Sequence, residues 1–216
     1  MKNYILCLLI LSNFILQAQN NQEIIANHIS KGYPEINTSK ELVFTDESYS
    51  KLTEVQYVYL NQTVNGIEIY NSGGNFAIKN DEVVYSNFEF IKNVSSKINE
   101  SDYKISAHKA IEYACSEIGI RNGFKTELIR SENSQSYLFD KGTISLENIP
   151  VKLIYYYTSE ENEPIHLAWD LSIYEKSKKH WWSIRVDATD GTILDINDWV
   201  LECTFGDNKH EEHEHQ

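Results

Sequence analysis

The sequence predicts an α+β fold on three observations. Two stretches have helical apolar spacing, each is followed by runs of alternating apolar and polar residues, and Asn-Gly and Asp-Gly pairs fold those runs back on themselves. Helix followed by antiparallel strands therefore occurs twice.

The first helical stretch is residues 22–31, where Ile24, Ile25, His28 and Ile29 share one stripe and Gly32 supplies the stop. His28 on that stripe reads as a packed residue, not a ligand. From Glu54 the period drops to two. Val55, Tyr57 and Tyr59 point one way and Gln56, Val58 and Leu60 the other. Asn65-Gly66 tolerates positive φ at both turn positions, so the chain reverses there. Ile67 and Ile69 continue the alternation, Gly73 and Gly74 allow a bulge or bend, Phe76–Ile78 form a third strand, and Asn80-Asp81 turn it into Val83–Ile91. A polar connection, Lys92–Ser101, follows. Ser106 then caps a helix that carries Ala107, Ala110, Ile111, Ala114, Cys115 and Ile118 on one stripe and ends at Gly119. Further strands are expected at Phe124–Arg130, Tyr137–Asp140, Val151–Thr158, Leu167–Glu175, Trp181–Ala188 and Thr192–Ile196, with Asp190-Gly191 turning the last pair. Two small lobes of cystatin-like layout, each a helix packed on an antiparallel sheet, satisfy this order.

Residues 1–19 read as a secretory signal peptide. Lys2 leads an apolar run from Tyr4 to Leu16, too short to span a bilayer, and Ala18 offers the small residue at a cleavage site. The processed chain is expected outside the cytoplasm, secreted or periplasmic, with no membrane attachment. Cleavage takes Lys2 from the 19 basic residues against 32 acidic ones and moves the net charge from −13 to −14. With its basic residues scattered, such a chain is unsuited to nucleic acid. With 14 Tyr, 8 Phe and 4 Trp it is too aromatic for disorder over most of its length. Residues 204–216 are the exception and read as an acidic, His-rich disordered tail or linker.

No catalytic constellation emerges. The tail sequence HEEHEH starts like the zinc-protease pattern H-E-x-x-H, but the second histidine must fall at position 214, which is Glu214. His210, His213 and His215 are therefore weak metal candidates only. Asp170, Asp187, Asp190, Asp195 and Asp198 match no calcium-loop spacing, and turn chemistry accounts for Asp at hairpin ends. Cys115 and Cys203 remain after processing and form a candidate disulfide in an exported chain. Two other readings stay open: a buried Cys115 with a free Cys203, or a Cys203 thiolate on a partner's zinc. Trp181 and Trp182, adjacent on one strand, face opposite sides, so at most one enters the core. The other is either covered by a loop or helix or available to a partner.

The run Gln56–Val84 is similar to the fungalysin/thermolysin propeptide domain, the match being carried by Tyr59, Gln62, Asn65, Gly66, Ile67 and Asn71. Tyr57 stands where that family often has a histidine. Asp102–Leu194 resembles the PepSY-type lobe that follows in such prosegments, with Trp182, Ile184, Asp187, Gly191 and Leu194 in its closing hairpin. The resemblance implies a signal peptide (1–19), a propeptide-like lobe (20–95), a PepSY-like lobe (100–203) and the tail. It implies a non-catalytic module that assists folding of a secreted zinc metalloprotease and inhibits it, in cis in a full precursor or in trans. Zinc would then sit in the partner's catalytic domain, with Tyr59, Gln62, Trp181 and Trp182 as contact candidates. The alternative is a free-standing exported inhibitor or binding module of cystatin-like shape. N-terminal sequencing of the exported protein is expected to begin at Gln19 or Asn20; a start at Met1 would remove the signal peptide from this reading.

Overall fold

In the computed structural model, which describes residues 20–98, 101–120, 124–158 and 164–200, every strand joins one ten-stranded sheet. Helix α1 (20–32) and the short α2 (Thr38–Glu41) precede a meander of β1 (Leu42–Ser50), β2 (Val55–Val64), β3 (Ile67–Lys79) and β4 (Glu82–Phe88). A 3₁₀ turn at Val94–Ser96 leads to α3 (Ala107–Glu117). Then come β5 (Leu128–Asn133), β6 (Ser136–Phe139), β7 (Ile149–Tyr156), β8 (His166–Tyr174), β9 (Trp181–Asp187) and β10 (Ile193–Asp198). The main path runs β1-β2-β3-β7-β8-β9-β10, with β4 on β3 and the β5–β6 hairpin on β7. The α+β class stands.

Each helix covers its own hydrophobic cluster on the same side of the chain's strands. Ile25 and Ile29 of α1, both fully buried, meet Val58, Leu60, Phe76 and Ile78. Ala110, Ile111, Ala114 and Cys115 of α3 meet Leu153, Trp169, Leu171 and Val186 in the second cluster. Each buried aliphatic contributes about 1.5–3 kcal/mol, and the small residues let α3 approach the strands closely. Val64, Ile67 and Ile69 belong to the second cluster. The tip of the β2–β3 hairpin thus plugs into the core of the other half.

Local chemistry accounts for the element ends. Ser106 caps α3 by accepting from the Lys109 amide at 3.2 Å, and Gly119 closes it at φ +80°. Asn65 and Gly66 both take positive φ in the β2–β3 turn.

Two expectations need correcting. A strand at Leu42–Ser50 is absent from the sequence reading, because β1 is an edge strand whose only apolar contacts with the core are Leu42 and Phe44, too short an alternation to signal a strand. Residues 67–79 form one strand, not two. Asn71 takes φ +58° in a wide bulge, where four residues of β3 stand opposite Gln62, and the strand resumes beyond it. Gly73 and Gly74 make this resumption feasible. A Cβ on Gly73 would sit 2.7 Å from Asn61 Oδ1, and one on Gly74 would sit 2.5 Å from Phe88 Cβ.

The β9–β10 turn is equally exacting. Gly191 has φ +86°, and a Cβ there would lie 2.5 Å from the Tyr113 ring on α3. Gly191→Ala is expected to lower stability by about 2 kcal/mol or more, through both left-handed strain and the clash. Urea unfolding followed by Trp fluorescence checks this, and an unchanged midpoint would refute the packing.

Candidate functional site

The two halves meet where β3 lies beside β7, and the parallel register there is a single pair, Ile69 opposite Tyr155. Side chains supply what the backbone ladder does not. Lys152 of β7 binds Glu68 of β3 at 2.6 Å. Arg185 of β9, only 2% exposed, reaches across the joint. Its Nε lies 3.1 Å from Asp170 Oδ1, its Nη1 donates to Asp195 Oδ2 at 3.0 Å, and its Nη2 donates to the Tyr70 hydroxyl at 2.6 Å. The guanidinium also stacks 4.2 Å from the centre of the Tyr70 ring, which in turn packs on Tyr156.

Register explains this convergence. Asp170 on β8 and Asp195 on β10 are the direct cross-strand partners of Arg185, so all three side chains stand on the face away from α3. A guanidinium stays charged in any protein environment, and one buried here requires this compensation. Burial pushes the Asp170 carboxyl up from its ordinary value, opposed by attraction to Arg185 and Lys152 and reinforced by repulsion from Asp195. About a third of that side chain still meets solvent, at 32% exposure.

Beside the joint lies a groove of about 680 Å³. Gly73, Gly74, Tyr59, Asn61, Glu68, Asn75, Asn87 and Asp170 are among the residues that line it. Asn61 donates its amide to Glu68 at 3.1 Å. Asn75 Oδ1 is buried without a hydrogen-bond partner among the described residues.

The contact candidates fall in different places. Tyr59 is 40% exposed and stands on the groove wall. Gln62 is fully buried: it donates to Ile91 O at 2.9 Å and accepts from the Ile91 amide at 2.8 Å and from Ser72 Oγ at 2.7 Å. It is thus the internal staple of the β3 bulge rather than a surface group. Trp181 and Trp182 do face opposite sides. Trp182 packs against the second cluster, donates to Glu175 at 2.7 Å and stacks on His180. Trp181 lies on the Arg185 face, stacked on Tyr174 and edge-on to Trp199, which is 53% exposed. Cys115 is a fully buried thiol pushed up to about 12 by burial. Cys203, His210, His213 and His215 lie outside the described residues.

The hairpin aspartates serve structure. Asp187 accepts from the Thr189 amide at 2.7 Å and pairs with His166 at 3.0 Å, while Asp190 accepts from Thr192. Asp198 anchors the exit of β10, bonding His180 at 2.6 Å and the Trp181 amide at 2.9 Å, and the His180 bond holds its carboxyl below the ordinary value. Among the described residues no group of three or more His, Cys, Asp or Glu could hold a metal ion, and no helix is long and apolar enough to cross a membrane. Arg185 and Asn75 are the residues that sequence reasoning missed. The signal for Arg185 was a lone arginine inside an otherwise apolar strand, between Ile184 and Val186.

Helix, meander and hairpin tip thus join two helix-backed halves into one ten-stranded sheet. Residues 40–86, spanning β1 to most of β4, match the Fungalysin/Thermolysin Propeptide Motif, so the chain carries the propeptide signature of fungalysin-type metalloproteases. Extracellular metalloproteinase 9 of Uncinocarpus reesii is 24% identical over 164 residues, covering 74% of this chain and 25% of that protein. The chain therefore matches about a quarter of the length of that relative. Among solved structures, the Bacillus megaterium YpeB C-terminal domain aligns with a TM-score of 0.35 at 10% identity, covering 83% of this chain and 64% of that one.

Removing the guanidinium would leave Asp170 and Asp195 facing each other. Arg185→Met is expected to cost about 3–5 kcal/mol. Asp170→Asn is expected to cost less, since Asp195 still pairs with Arg185. Because its carboxyl is raised in the fold, Asp170 lowers stability as the pH rises from its ordinary value of 3.8 through the folded value. Asp198 works in the opposite sense: its contribution is present above the ordinary value and lost as the pH falls through the folded one. Urea unfolding between pH 3 and 7 should therefore show a shallower decline toward neutral pH for Asp170→Asn than for wild type. Equal costs for the two substitutions would refute the joint.

Proposed function

We infer that this chain acts as the prosegment of a secreted fungalysin-type zinc metalloprotease, assisting the folding of the catalytic domain and inhibiting it until removed. The propeptide motif at residues 40–86, on the very meander that forms the groove, carries this reading, and the extracellular relative supports it. Residues 20–95 and 100–203 serve as the two lobes, of cystatin-like layout, the second PepSY-like. Residues 204–216 form the tail towards the protease. The zinc belongs to the partner.

The physical logic is mass action. A module that binds only the native catalytic domain stabilises it by RT ln(1 + [L]/Kd), and one that covers the cleft prevents self-digestion meanwhile. Tyr59 and Trp181 are the contact residues in this proposal, large aromatic groups held on one face of the sheet, with Trp182 packed on the other. A disulfide between Cys115, a buried free thiol in the structure, and Cys203 is part of this proposal.

The test is to refold a fungalysin-type catalytic domain from the same source with and without residues 20–216 supplied in trans. Higher recovered activity after removal of the module, and inhibition at micromolar levels while it is present, are expected. Absence of both would end this reading. Alkylation and mass measurement under non-reducing conditions addresses the disulfide, where two alkylated thiols would exclude it.

A further inference from the structure

We propose that the groove over β3 receives an arginine side chain carried on an extended segment of the partner protein. The reading builds on the docking role above and adds the chemistry of the contact. Four observations converge on it.

The first is charge. Lys152 is neutralised by Glu68 at 2.6 Å, whereas Arg185 faces two carboxylates, Asp170 and Asp195. The groove lining itself carries Glu68, Asp170 and the exposed Glu89 against the single basic Lys152. A positively charged occupant is the complement, and at close range such complementarity fixes register and partner choice.

The second is the acceptor inventory. Asn75 Oδ1 is buried without a partner among the described residues, at a position flanked across the sheet by Tyr59 and Asn87. Asn61 spends its amide on Glu68 and keeps its carbonyl oxygen against the Gly73 backbone. Asn75 Oδ1 is thus a buried acceptor left open, and a guanidinium supplies five donors.

The third is shape. Tyr59 stands exposed at the wall as an aromatic face. A volume of about 680 Å³ exceeds one side chain and leaves room for the residues on either side of it. The fourth is internal precedent. On this same face the chain already holds Arg185 by one tyrosine ring and two carboxylates. The groove offers a tyrosine, Tyr59, and the carboxylate of Glu89 on that face, without an arginine.

The experiment uses residues 20–216, isotope-labelled and titrated with the blocked peptide acetyl-Ala-Ala-Arg-Ala-Ala-amide. The identical peptide with Glu at the centre serves as control. Saturable shifts of the Asn75 and Asn87 side-chain amides with the Arg peptide alone are expected. Tyr59→Ala is expected to weaken binding about tenfold, and Glu89→Gln to weaken it with loss of part of its salt dependence. No saturable shift up to about 10 mM peptide, or equal shifts with the Glu peptide, overturns the proposal. The inhibition assay separates it from the docking role. A groove that binds the Arg peptide in a module that fails to inhibit sinks the docking role and leaves the groove. Inhibition that Tyr59→Ala and Glu89→Gln leave intact sinks the groove as the point of contact.

Discussion

One buried guanidinium holds the halves of this molecule in register. The backbone joins them through a single parallel pair, Ile69 with Tyr155, too little by itself to fix the orientation of two helix-backed halves. Arg185 reaches Asp170 and Asp195 on its own side and Tyr70 on the other, and Lys152 with Glu68 adds a second tie across the same line. Burying a charge is costly, so the arrangement is stable only with all partners present. That requirement makes the joint specific, and the groove beside it inherits a fixed shape.

The hairpin tip completes the joint from the opposite face. Val64, Ile67 and Ile69 enter the core under α3, while Gln62, just before them, staples the bulge to Ile91. The turn that lets the strands reverse also delivers apolar residues to the far half, so turn chemistry, packing and inter-half geometry are set by one short segment, 62–72. The propeptide match covers this segment, which ties the family signature to the structural joint and not to exposed surface alone.

Much of this was legible in the sequence. Asn65-Gly66, Ser106, Gly119 and Asp190-Gly191 name their own conformations, because positive φ and capping are local properties. The apolar stripes of both helices and the opposed faces of Trp181 and Trp182 follow from period alone. β1 was hidden because an edge strand with only Leu42 and Phe44 turned to the core carries too little apolar pattern. The unity of β3 was hidden because a bulge at Asn71 looks like a turn until the partner strands are known. Gln62 reads as surface-polar, yet it is interior; its flanks, Leu60 and Val64, were the available hint. The Arg185 network depends on the register of three strands and on β3 crossing from the other half, information that one sequence does not hold.

The account holds that this polypeptide works by seating its β2–β4 face and the adjoining groove on another folded protein. Hydrogen exchange of residues 20–216, alone and with an equimolar fungalysin-type catalytic domain, tests that most directly. The account predicts added protection in the strands that carry Tyr59, Asn75 and Asn87. Exchange unchanged along those strands, with the catalytic domain shown to be folded, would contradict it.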